Sequence, residues 1–355
     1  MKTFGIIKYS LLGFIFILVS YSCIEPIDID TKETEELLVV DGLITTLSDS
    51  VLNKVKLSKS ERYKGAKEFI LNKPVNDAQV FIADNLGNSA VLEYIGRGEY
   101  RLKSFLLKAV VGREYTLHVQ LSNGKKYVSA PEKILPAAPI KNLSYEYKTS
   151  TKVQVNGSGN RVELKTAKFD INLSAEDPAE PGNYYRWDSR GTFEYFTRPP
   201  EALPWPSQCW YHIGRIDGKV TVQDDALFNG KSFKQMVVSV PFDRPTKYKV
   251  EVRQFSITRQ AYNYWRLFEN QQTSVGSMFD PPPAKIRGNM RNVNDPKEEV
   301  LGFFGASDVK EKYIVINRTL HVPQPGPPTY IPSGGIDSNC LVFIPGGTTV
   351  RPIGM

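Results

Sequence analysis

Tyr115-Thr116-Leu117-His118-Val119-Gln120-Leu121, followed by Asn123-Gly124 and a return run through Tyr127 and Val128, decides the fold class. Odd positions of the first run are apolar and even positions polar, which is the period of a strand with one face buried. Asn-Gly between two such runs is a hairpin turn, because both residues accept positive φ.

Working outward, Leu37–Ile44, Ala78–Asp84 and Ala90–Tyr94 read as further short strands, with a turn at Asn85–Asn88. Several strands at this spacing with no helical pattern between them predict an immunoglobulin-like or transthyretin-like β-sandwich over residues 37–136. The Pro-rich joint Pro131–Pro139 is its expected boundary. Residues 140–355 then read as a larger β-rich domain, with strands at Lys168–Leu173, Met236–Val240 and Tyr248–Val252, the last two expected to pair as a hairpin. A polar loop is expected at Asn156–Asn160. From Thr258 to about Gln272 there is no Gly or Pro, and Ala261, Tyr264, Trp265 and Phe268 recur at helical spacing, which predicts one amphipathic helix near 258–272. Gly276–Asn294 and Pro323–Gly347 are rich in Pro, Gly and Asn and predict long irregular segments, with short strands at Gly302–Phe304 and Tyr313–Ile316 between them. The fold class expected is therefore mainly β, a sandwich followed by a larger β-rich domain with one helix.

Residues 1–22 carry Lys2 and Lys8, then the apolar run Leu11–Val19, and no acidic residue. This is the layout of a secretory signal, too short to span a bilayer permanently. The run passes through Ser20-Tyr21-Ser22 into Cys23 with no Ala-x-Ala end, which resembles a lipoprotein signal with Cys23 as the acylated residue. Several acyl chains, at ~0.8 kcal/mol per buried methylene, hold a domain at a membrane without a spanning helix. Residues 23–36, with Glu25, Asp28, Asp30, Glu33, Glu35 and Glu36, form an acidic tether. Losing the signal takes the 355-residue chain of charge +7 to 333 residues and about +5. That charge is scattered among carboxylates with no basic run interleaved with aromatics, which excludes a nucleic-acid partner.

With Cys23 assigned to lipid, Cys209 and Cys340 remain. Either a disulfide closing a loop of about 130 residues, worth roughly 3 to 5 kcal/mol by loop entropy, or two buried thiols satisfies the sequence.

Tyr262-x-Tyr264-Trp265, Gly276-Ser277-Met278-Phe279-Asp280-Pro281-Pro282-Pro283, Gly288-Asn289 and Val300-Leu301-Gly302-Phe303-Phe304-Gly305-Ala306-Ser307 occur in this order, with Val39-Val40-Asp41-Gly42 before them. The series resembles a Bacteroidetes lipoprotein family known only as a domain of unknown function. Members of that family commonly occur alongside TonB-dependent outer-membrane receptors. The resemblance implies an accessory role at the outer membrane, facing the cell surface, with a β-barrel receptor as partner; it carries over no catalytic residue.

His118, His212 and His321 are isolated, and no hydrolase, nucleotide or zinc-peptidase motif occurs, so no catalytic residue, metal or cofactor is expected. Cys209-x-x-His212 offers two zinc ligands without a second pair. Glu176-Asp177 and Asp224-Asp225 read as solvated turn residues. Tyr184–Tyr211 holds three of the four tryptophans. From it Trp187, Trp205, Trp210 and Tyr211 are candidate anchors for a peptide, glycan or protein partner, with Arg186, Arg190 and Arg198 as hydrogen-bond donors. The competing reading places most of these rings in a sandwich core. A glycan-binding or glycan-degrading surface protein is the rival to a transport accessory.

Overall fold

The Tyr115–Val128 hairpin forms where its alternation puts it. In a computed structural model, β8 (Glu114–Gln120) and β9 (Lys126–Ser129) pair antiparallel, and Tyr115, Leu117 and Val119 are buried. Of the Asn-Gly pair only Gly124 takes positive φ, +84°, rather than both residues; its N–H donates to the Leu121 carbonyl at 3.0 Å and closes the turn. The structure describes residues 36–47, 51–60, 73–103, 105–155, 157, 159–197, 208–273, 286–321, 340 and 344–355. Cys23, the signal, nearly all of the tether, Arg198 and Trp205 lie outside them.

Around this hairpin a sheet adds β4 (Gln79–Asp84), β5 (Ser89–Val91), β10 (Glu132–Lys133) and β18 (Met290–Asn292), in the order β18-β9-β8-β4-β5 with β10 beside β8. Facing it is a sheet of β1 (Leu38–Thr45), β2 (Lys54–Lys59), β3 (Lys73–Pro74), β6 (Glu93–Gly96), β7 (Glu99–Arg101) and β19 (Val300–Ser307), in the order β19-β1-β2-β7-β6 with β3 beside β2. Leu38, Val40, Ile44, Val55 and Leu57 of one sheet meet Val80, Ile82, Tyr115, Leu117 and Val119 of the other in a single core.

A second sandwich sets β11 (Ile140–Val155), β12 (Arg161–Glu176) and β16 (Ser232–Pro241) against β13 (Tyr184–Phe196), β14 (Gln208–Ile213), β15 (Thr221–Asp224), β17 (Lys247–Ile257) and β20 (Val309–Asn317). Phe169, Ile171 and Leu173 of one sheet pack on Tyr185, Trp187, Val250 and Val252 of the other. The long helix, α1 (Arg259–Thr273), falls within a residue of its sequence expectation, and a short 3-10 helix follows at Arg318–His321. Thr258 starts it: its Oγ1 accepts the Ala261 N–H at 3.1 Å. No described helix is long and apolar enough to cross a membrane.

Two arrangements differ from the sequence reading. The first sandwich is not made from residues 37–136 alone, because β18 and β19 return to it after α1 and before β20, the last strand of the second. β19 pairs with β1 in parallel register, Leu38 opposite Val300 through Thr45 opposite Ser307. Parallel partners need a crossover, and here it runs through every strand of the second sandwich except β20, which follows β19; Leu37–Met355 forms one compact unit. Secondly, β16 and β17 are not a hairpin: β16 pairs with β12 and β17 with β13, so residues 242–246 cross between the two sheets. Arg318, fully buried, holds that crossing. Its Nε donates to the Thr246 carbonyl at 2.9 Å and its Nη1 to Asp243 Oδ1 at 2.7 Å. Alternation shows which face of each strand is buried, but not which sheet receives it.

Cys209 and Cys340 are joined in a disulfide, with Cα atoms 5.7 Å apart across 131 residues. Loop entropy values that closure at about 5 kcal/mol. Beside it Trp210 and Thr348 exchange two backbone hydrogen bonds of 2.8 and 2.9 Å, so the C-terminal residues are fastened to β14.

The β1–β19 ladder depends on glycine. Gly302 has φ +91°, and a Cβ there would lie 1.9 Å from the Val40 carbonyl oxygen. Gly302→Ala is therefore expected to destabilise the protein by roughly 3 kcal/mol or more, read as a lowered urea midpoint; an unchanged midpoint would refute the close approach.

Candidate functional site

The outward face of β1 is only partly open to solvent: Val39 and Leu43 are half-buried and Asp41 is exposed. Its core positions are even-numbered, so Val39, Asp41 and Leu43 point the other way, beside Leu301, Phe303 and Gly305 of β19. Phe303 and Phe304 are both buried on opposite faces: Phe304 fills the first sandwich, and Phe303 stacks on Tyr264 of α1 with centroids 4.8 Å apart. Between this face and the second sandwich lies a groove of about 580 Å³. Val39, Leu43, Phe303, Tyr264, Trp265 and Phe268 supply its apolar wall. Lys54, Lys56, Asp41, Arg186, Asp188 and Arg215 supply its charges.

α1 is placed to build that wall by its own side chains. Gln272 Oε1 accepts the Val220 N–H at 2.9 Å, Glu269 Oε1 accepts that of Val222, and Tyr262 donates to Asp224 at 3.1 Å, so the helix covers β15. Its aromatic stripe then turns Trp265 and Phe268 towards the groove.

Arg186 enters the groove from β13 with 6 % of its surface exposed. Its guanidinium lies 4.2 Å from the Phe255 ring centroid and 4.8 Å from that of Trp265. Burial lowers its pKa, the carboxylates of Asp188 and Asp41 work the other way, and Arg215 adds to the lowering. Even so, no described residue hydrogen-bonds or ion-pairs it. Two residues on, on the same face of β13, Asp188 has a buried Oδ1 with no hydrogen-bond donor. Two charged groups held unpaired within one groove are costly to stability and are the feature that most marks this region as a site.

The anchors expected from sequence are placed differently. Trp187 is a core residue of the second sandwich, its Nε1 donating to Gln254 at 3.0 Å, and Trp210 is buried at the disulfide. Tyr211 packs on Phe193 at 5.5 Å. Trp187 and Tyr211 pack within the sandwich, where β13 and β14 are covered by β11, β12 and β16, while Trp210, on the opposite face of β14, is buried next to the backbone of Thr348. Arg190 lies near Glu311 at 3.6 Å. The tryptophan that lines the groove is Trp265, on the aromatic stripe of α1.

The carboxylate pairs are split rather than solvated. Asp177 is buried, accepting from the Tyr185 hydroxyl at 2.5 Å and the Gly230 N–H at 3.1 Å; Asp225 is buried and accepts the Gly182 and Asn183 N–H groups at 2.7 and 2.8 Å. Each fastens a loop through backbone N–H groups that would otherwise be unsatisfied. Glu176 instead is exposed and pairs with Lys141. The sulfur of Cys209 is consumed by the disulfide, and His212 Nδ1 lies 2.8 Å from Thr192 Oγ1, so that spacing builds no zinc site. Among the described residues no group of His, Cys, Asp and Glu is disposed to hold a metal.

The family motifs explain the groove's construction. Asn289 donates from Nδ2 to the Phe304 carbonyl at 2.8 Å and accepts the Phe304 N–H at 2.9 Å, acting as a substitute strand on β19. Val39–Gly42 and Leu301–Phe304 are register partners. The domain of unknown function DUF4249 matches residues 24–313. The chain belongs to that family. No curated protein matches this DUF4249 chain. Among solved structures, a two-domain fibronectin type-III segment from chicken tenascin is similar at 14 % identity, covering 63 % of this chain and 92 % of that one, with a TM-score of 0.15. At that score the sandwich assignment rests on this chain's own sheets.

Glu132 of β10 is the buried acid nearest the start of α1. Thr258 Oγ1 donates to it at 2.7 Å and Asn289 Nδ2 at 3.4 Å, yet burial pushes its pKa up to about 7 against a usual 4.5. The folded state therefore binds this proton more tightly than the unfolded chain. Stability from this group is greatest below pH 4.5 and is lost as pH rises through 7. Glu132→Gln is expected to remove that loss, on the order of 2 to 4 kcal/mol, so urea midpoints of variant and wild type should converge at pH 5 and separate at pH 8. A constant difference across that range would contradict the assignment.

Proposed function

We propose that this chain is a non-enzymatic, lipid-anchored outer-membrane protein that serves as an accessory or binding subunit beside a TonB-dependent β-barrel receptor. The observation that carries the binding role is the groove between β1–β19 and α1, which is built by the family's ordered motifs and holds unpaired charges against an apolar wall. Concave sites of this size lined by apolar and aromatic side chains with a few convergent polar groups are the usual form of a ligand site. The address rests on the signal-like residues 1–22 ending at Cys23 and on the acidic tether behind them; the partner rests on the resemblance to Bacteroidetes lipoproteins. The glycan reading is weaker because the Trp187 and Trp210 rings that motivated it are buried.

Two measurements test this reading together. Radiolabelled palmitate should enter the wild-type chain and not Cys23→Ser, and a tagged wild-type chain should recover a β-barrel receptor from native outer membrane in mild detergent. Absence of label, or repeated recovery of no barrel, would contradict it.

A further inference from the structure

Arg186 is held in a way that leaves one kind of contact open. Aromatic rings lie against its guanidinium at 4.2 and 4.8 Å, which occupies the π surface of a planar cation. Its N–H donors lie in the plane of the group and form a fork matched to a carboxylate. No described residue accepts from that fork, although Asp188 and Asp41 act on its charge. An arginine left without an acceptor and 6 % exposed is a strong candidate for pairing with an incoming anion.

Asp188 presents the complementary defect. Its buried Oδ1 accepts no hydrogen bond, and the side chain lines the same groove. Positions 186 and 188 are i and i+2 on one strand, so both point to one face. A ligand that satisfies both must carry a carboxylate with an N–H donor close beside it. The apolar wall of Trp265, Phe268 and Leu43 adjoins these two groups and suits an apolar substituent between them.

We propose that the groove binds an amino-acid carboxylate with an apolar side chain, its carboxylate on the Arg186 fork, its α-nitrogen donating to Asp188, and its side chain against Trp265 and Phe268. This rests on the binding role given above and names its ligand. A free amino acid and the C-terminal residue of a peptide share this chemistry. Lys54 is paired with Glu99 at 3.0 Å and is not the primary anion partner.

Calorimetric titration of the full chain in mild detergent tests it with phenylalanine, N-acetylphenylalanine, N-acetylphenylalanine methyl ester and 3-phenylpropionate. Binding of phenylalanine alone identifies a free amino acid and binding of N-acetylphenylalanine identifies a chain end; either supports the site. The ester and 3-phenylpropionate should bind at least about tenfold more weakly, since each lacks one of the two contacts. Arg186→Lys keeps the charge but not the fork and should cost about tenfold, and Asp188→Asn somewhat less. Failure of both amino-acid probes to bind, or equal binding of the ester or 3-phenylpropionate, overturns the proposal. The probe comparison needs only the wild-type protein, so it stands if a variant fails to fold. Recovery of a barrel receptor by a chain that binds neither amino-acid probe would reject this ligand and leave the accessory role intact.

Discussion

The parallel ladder between β1 and β19 is the constraint on which the remainder of the structure depends. It brings residues 38–45 against residues 300–307, across every strand of the second sandwich except β20. One face of the pair completes the first core through Val40, Ile44, Phe304 and Ala306; the other, through Asp41, Leu43 and Phe303, forms the floor of the groove. A ladder closed over such a separation is expensive in chain entropy, and the sequence meets that cost with local devices. Gly302 lets two backbones approach, Asn289 supplies a side-chain amide where a strand would otherwise pair, and Glu132 links Asn289 to the start of α1.

Asp308 makes the two sandwiches one body. It is the single residue between β19 in the first and β20 in the second. Its carboxylate accepts from Thr46 at the end of β1 at 2.6 Å and from the Ala137 N–H in the joint at 2.9 Å, while its carbonyl accepts the Ser256 N–H at 3.1 Å. Burial alone would raise its pKa, but these donors and Lys310 prevail and lower it. The groove is thus framed by elements that are fixed to one another, which favours a preformed site.

Local pattern made the strands legible. The alternation at Tyr115–Leu121, the Asn-Gly turn and the unbroken stretch 258–272 each report a period that the backbone must obey. What alternation does not carry is the identity of a distant partner. Met236–Val240 and Tyr248–Val252 look like a hairpin by spacing, and only the buried Arg318, far along the chain, reveals the crossing between sheets. The candidate site was legible in part for a related reason: Arg186 and Trp265 were each noticeable, but their meeting at 4.8 Å is a product of topology. Aromatic density drew attention to Trp187 and Trp210, whose bulk a core needs. The Val39–Gly42 and Val300–Ser307 motifs were recognisable as a series, while their direct pairing was not.

Amide hydrogen exchange under native conditions addresses the central claim, that β1 and β19 close the first sandwich and bind it to the second. The paired amides of β1, β19 and β17 should all exchange in the slowest class and share one opening free energy, since the ladder and Asp308 couple the two cores. Exchange of the β1 and β19 amides orders of magnitude faster than those of β17 would contradict the account.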